Sequence, residues 1–93
     1  MTLSECRQNI DRINLKILNL LNERARWALE IRKLKQQQGL PVHQPSREEQ
    51  ILKEMQAKNE GPLGNQAIKR IFEKILAESR KLQTETYANQ PER

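Results

Sequence analysis

Residues 10–34 read IDRINLKILNLLNERARWALEIRKL. Within them Ile10, Ile13, Ile17, Leu20, Trp27, Ile31 and Leu34 recur at spacings of three and four, with one step missed at Arg24. That is the period of an α-helix, and the alternation approaches a heptad seam. No glycine or proline occurs before Gly39. The spacing therefore predicts one helix from about Thr2 to Gln38. Thr2 and Glu5 have the separation of a capping box, with Ser4 a rival cap. Gly39 supplies a C-terminal stop, and Pro41 lies just beyond it.

Two shorter helices follow. After the loop from Gly39 to Pro45, Ser46 and Glu49 form a second capping box. The helix it opens carries Ile51, Leu52 and Met55 and ends near Asn59, because Gly61-Pro62 cannot continue it. A third helix begins near Gly64 or Asn65, with Ile68, Ile71, Phe72, Ile75, Leu76 and Leu82 along one stripe. Residues 87–93 are polar and are expected to form a disordered tail, leaving residues 1–86 as one helical domain. No segment alternates like a strand, so the fold class is all-α.

Length argues for a second copy. A helix of roughly 35 residues is about 50 Å long. A compact monomer of 93 residues has a radius of gyration of only about 12 Å. The two shorter helices cannot cover such a rod, and a two-fold dimer is the simplest way to bury its seam. The alternative is a kink near Asn22 to Arg24 that folds the chain into a monomeric bundle.

Composition narrows the function classes. Aromatic residues are 3% of the chain and charged residues 31%, with a formal charge of +5. The balance favours anionic partners. The basic residues are dispersed, however, and Trp27, Phe72 and Tyr87 lie far apart, which argues against nucleic-acid stacking. The one cysteine, Cys6, and the one histidine, His43, make neither a disulfide nor a multi-cysteine metal site. They read as a surface thiol and a loop imidazole. No apolar run is long enough to span a membrane, and Met1 to Arg7 does not resemble a signal peptide. A reducing, cytoplasmic setting is expected.

The informative residues are polar ones set where the stripes ask for apolar ones. At about 100° per residue, Arg24, Ala28, Ile31 and Lys35 share one narrow face of the first helix. Burying unpaired cations costs several kcal/mol each, as an order of magnitude, so something anionic should meet them. Ser79 and Gln83 continue the apolar stripe of the third helix, and Glu48 lies on the side of Leu52 and Met55 with Arg47 beside it. Each has a plainer role: Arg24 as ion-pair partner of Glu48, Lys35 reaching solvent, Ser79 bonded to its own helix, Gln83 at the surface, and Arg47 and Glu48 serving only a helix terminus. A small cationic pocket for a multiply charged anion explains them jointly. No nucleophile–base pair and no phosphate-binding glycine loop is visible, so chemistry in such a pocket rests on positioning and electrostatics.

These residues occur in a distinctive order. Arg7-x-x-Ile10-Asp11-x-Ile13 is followed by Leu20-Leu21-Asn22-Glu23-Arg24, then Ala28-x-x-Ile31-x-x-x-Lys35. Pro41-Val42, Arg47-Glu48, Gly61-Pro62-Leu63 and Ile71-Phe72-x-x-Ile75-x-x-x-Ser79-Arg80-x-Leu82-Gln83 complete the set. Over about residues 3 to 84 the chain resembles the all-helical chorismate mutases. The Gly-Pro-Leu loop looks most like mutase domains fused to the first enzyme of the shikimate pathway.

The resemblance implies an intertwined homodimeric helical bundle, three helices per chain, with shared active sites. It implies rearrangement of chorismate, a small dianion, to prephenate without a cofactor. Lys35 and Gln83 would flank the ether oxygen where negative charge grows. Arg24, Arg47 and Arg7, the last from the other subunit, would hold carboxylates. Ser79 would hydrogen-bond nearby, and Glu48 would accept from the ring hydroxyl, which Gln44 would also serve through its backbone amide or its side chain. Gln83 donates at any pH, whereas the Glu of some relatives must first be protonated. Two positions depart from the family pattern: Gln44 where Asp is common, and Arg80 where an apolar wall residue is common. The same scaffold also serves isochorismate–pyruvate lyases and, as a third reading, a chorismate- or prephenate-sensing domain of a synthase partner. A basic helical module for nucleic acid or protein is the non-enzyme reading, and it predicts a steep salt dependence of binding.

Overall fold

The computed structural model describes residues 1–89, with side chains through Glu85. Three helices follow one another: α1 (Leu3–Gln38), α2 (Pro45–Lys58) and α3 (Asn65–Asn89). The Thr2 hydroxyl accepts from the Glu5 backbone N–H at 3.1 Å and caps α1. Gly39, at φ 70°, closes its other end. The Gly39 N–H donates to Gln36 and the Leu40 N–H to Lys35, the two bonds of a Schellman motif. Only glycine takes that left-handed φ without a steric penalty, so the residue type sets where the helix stops.

α2 starts earlier than its sequence suggests. Gln44 is the N-cap and makes no side-chain capping bond, and Pro45 is the first helical residue. The expected Ser46–Glu49 capping box is therefore absent. Pro45 outcompetes it, because its fixed φ suits the first helical position and it has no N–H to satisfy. The Gln44 carbonyl instead accepts from the N–H groups of Arg47 and Glu48. α2 ends at Asn59, whose side chain organises the next loop by donating to Leu63 O and Asn65 Oδ1 and accepting from the Gly61 N–H. α3 begins at Asn65, within the expected range, and continues to Asn89, so the boundary expected after Thr86 falls inside it. Of the tail expected over 87–93, residues 90–93 lie outside the described residues.

α3 packs against both α2 and α1. The core so formed is small. Among the described residues only Ala28, Leu76 and Gln83 are buried. α1 runs unbroken for 36 residues and sets the longest dimension of the fold, 57 Å. The radius of gyration, 16.7 Å, is well above the roughly 12 Å of a compact chain of this length. Every member of the α1 seam stays exposed, from Ile10 at 56% to Leu34 at 44%. Leu3 and Leu21 flank this surface, and Leu15 and Leu18 are exposed on the other side of the helix. An exposed apolar seam that runs along a helix is the mark of an interaction surface. No described helix is long and apolar enough to cross a membrane.

Candidate active site

All three helices contribute to one cavity of about 430 Å³. α1 lends Arg24, Trp27, Ala28, Ile31 and Lys35, and the following loop lends Val42. Gln44, Arg47, Glu48 and Ile51 come from the start of α2, and Leu76, Ser79, Arg80 and Gln83 from α3. The lining positions on α2 and on α3 each follow the i, i+3, i+4, i+7 pattern of a single helix face. Every site residue expected from the sequence is in this set except Arg7.

Arg7 is exposed and precedes Arg24 by seventeen positions of the same helix. That separation is about 25 Å along the axis, so Arg7 does not reach the cavity of its own chain.

The cavity is cationic. Arg24, Lys35, Arg47 and Arg80 face it together with one carboxylate, Glu48. It also lies at the N-terminal end of α2, where the helix dipole favours negative charge. The Lys35 ammonium is partly buried and donates to the Val42 carbonyl at 3.1 Å, so it is held at the cavity wall rather than extended into solvent. Arg47 Nη1 donates to Gln50 Oε1 at 3.0 Å. Arg24 has no hydrogen bond or ion pair within the described residues, and neither has the Ser79 hydroxyl. Both are available to a bound group.

Gln83 is buried, and its Nε2 donates to the Ala28 carbonyl at 2.7 Å. An amide nitrogen carries two hydrogens, so a second one remains for a ligand.

The pairing of Glu48 differs from the sequence-based alternative. Its partner is Arg80, not Arg24: Arg80 Nη1 donates to Glu48 Oε1. His43 Nε2 lies 3.6 Å from the other oxygen, Oε2. The loop imidazole thus sits beside the one carboxylate that lines the cavity among the described residues. Arg80, which stands where an apolar wall residue is common in the family, lines the cavity as a cation paired with Glu48. Its place one turn before Gln83 on the inward face is the signal that could have found it. Val42, Trp27 and Ile51 form apolar wall that the polar exceptions do not mark.

Comparison with known proteins gives a consistent picture. The family model described as chorismate mutase type II matches residues 6–84. The chain is 38% identical over 79 residues to the bifunctional chorismate mutase/prephenate dehydratase of Aquifex aeolicus, covering 81% of this chain and 22% of that protein. It thus spans about a fifth of the length of that bifunctional relative. The form II structure of chorismate mutase from Thermus thermophilus superposes with a TM-score of 0.86 at 38% identity, covering 88% of this chain and 93% of that one. The Helicobacter pylori chorismate mutase, solved in complex with prephenate, gives a TM-score of 0.86 at 27% identity, covering 96% and 97%.

Proposed function

The chain belongs to the type II chorismate mutase family, and on that premise we propose that it rearranges chorismate to prephenate. The observation that carries this reading is the convergence of Lys35 from α1 and Gln83 from α3 on one cavity that also presents Arg24 and Arg47. The substrate is a dianion, and the cavity is built of cations.

The reaction breaks one carbon–oxygen bond and forms one carbon–carbon bond within a single molecule. No proton need be transferred, so the protein has two tasks. The first is to hold a conformer in which the two carbon ends meet. Arg24 and Arg47 anchor the carboxylates for this purpose, with Ser79 as a neutral donor. Glu48 accepts from the ring hydroxyl, next to the Gln44 backbone. The second task is to stabilise the ether oxygen as it gains negative charge. Lys35 and the free N–H of Gln83 supply donors that are already fixed by Val42 and Ala28. Such donors stabilise the transition state more than the ground state, which is what raises the rate.

The functional unit in this reading is a homodimer. The exposed α1 seam supports it, because a second copy laid along that face buries Ile10, Ile13 and Ile17. It also accounts for Arg7, which then enters the cavity of the other copy as a further carboxylate anchor. The Gly61-Pro62-Leu63 loop supports an additional partner, a shikimate-pathway synthase joined to or associated with the chain. A cytoplasmic setting fits an enzyme of this kind. The test is conversion of chorismate by the purified protein with the product identified, alongside Lys35→Ala.

A further inference from the structure

Glu48 poses an electrostatic problem for a site that binds a dianion. A carboxylate that faces the same cavity repels the substrate, and the repulsion is strong where water is partly excluded. The Arg80–Glu48 pair joins α3 to α2 between residues 32 positions apart, and its side chains are 38% and 21% exposed. Both line the cavity. The guanidinium engages Oε1 and leaves Oε2, which lies 3.6 Å from His43 Nε2, to serve as acceptor.

We propose that Arg80 is a positioning residue that fixes the Glu48 carboxylate and offsets its charge, so that Glu48 accepts from the substrate hydroxyl without repelling the dianion. This inference rests on the mutase reading above. His43 is more exposed, and its pairing with Glu48 requires protonation. Arg80 stays charged at all working pH values, so it supplies the constant part of the compensation.

The test is steady-state kinetics on chorismate with the full chain. The variants are Arg80→Leu, Arg80→Lys, Glu48→Gln and the double variant Glu48→Gln/Arg80→Leu. Arg80→Leu is expected to raise KM about tenfold and to change kcat by less than about threefold, because the lost interaction acts on ground state and transition state alike. Arg80→Lys recovers most of the KM, since the charge is retained. In the Glu48→Gln background the Leu substitution changes KM by less than about twofold, as no carboxylate remains to be offset. Equal losses in both backgrounds would overturn the proposal and make Arg80 a direct substrate contact or a purely structural residue. An unchanged KM in Arg80→Leu would overturn it too. If Arg80→Leu loses helix content or changes its oligomeric state, Arg80→Gln provides the same uncharged contrast with a polar side chain. Absence of turnover in the unaltered protein refutes the mutase reading instead, so the two failures are distinguishable.

Discussion

The Gln83 side-chain amide donates to the backbone carbonyl of Ala28 at 2.7 Å, and both residues are buried where α3 crosses α1. A carbonyl only accepts, so this bond decides which end of the amide faces α1. The nitrogen and its second hydrogen are held in place before any substrate arrives. A buried polar residue in so small a core thus ties two helices together and presents a donor to the cavity.

The first prediction follows from counting protons. Gln83→Glu offers one donor, and only when the carboxyl is protonated. The ionised form places a negative charge against the Ala28 carbonyl and offers nothing to the ether oxygen. The active form of the variant exists below its pKa and is lost as pH rises through it. An unperturbed Glu titrates near about 4.3, and burial moves it upward. The pH profile of kcat should therefore fall with rising pH in the variant. The unaltered protein should stay nearly flat from about pH 6 to 8, since an amide does not titrate. A variant profile that overlays the parent's would contradict this role.

A second prediction concerns the sharing of sites between copies. Arg7→Ala and Lys35→Ala should each be nearly inactive alone. When the two are unfolded, mixed in equal amounts and refolded together, half of the dimers are mixed, and each has one site with both residues intact. Activity should return to about a quarter of the parent level, as random pairing of a two-fold dimer requires. Sedimentation of each variant checks that the dimer forms. No recovery in correctly paired mixtures would place Arg7 outside the site.

The third prediction tests the core. Leu76 is 5% exposed and lies on α3, the helix that packs against both others, at the cavity wall. Leu76→Ala should lower unfolding stability by about 2–5 kcal/mol, the usual cost of a buried leucine truncation. Chemical denaturation followed by helix signal measures it. A loss below about 1 kcal/mol would indicate that the core around Leu76 collapses to fill the space.

Much of this arrangement is legible in the chain because helices impose a period. The seam from Ile10 to Leu34 reveals α1, and Arg24 is conspicuous as the break in it. The same period places Lys35 on the face of Arg24, and Gln83 and Ser79 on the inward stripe of α3. Gly39 marks a helix end because one backbone conformation admits glycine far more readily than other residues. What the chain does not reveal depends on contacts between helices. Arg80 meets Glu48 from another helix, and no local pattern states which of several arginines pairs with a carboxylate. The partner of Gln83 is a backbone carbonyl inside a helix, which has no sequence signature. The start of α2 differs from expectation for a local reason: Pro45 and Ser46 both signal a helix start, and the proline prevails.

The central claim is tested most directly by incubating the purified protein with chorismate and identifying the product by its acid conversion to phenylpyruvate, with Lys35→Ala in parallel. The account predicts prephenate from the parent protein and a kcat reduced by about 10²–10³ in Lys35→Ala, the range found when one preorganised donor to a developing oxyanion is removed. A well-folded protein that leaves chorismate unchanged, or a Lys35→Ala variant that retains full turnover, would contradict it.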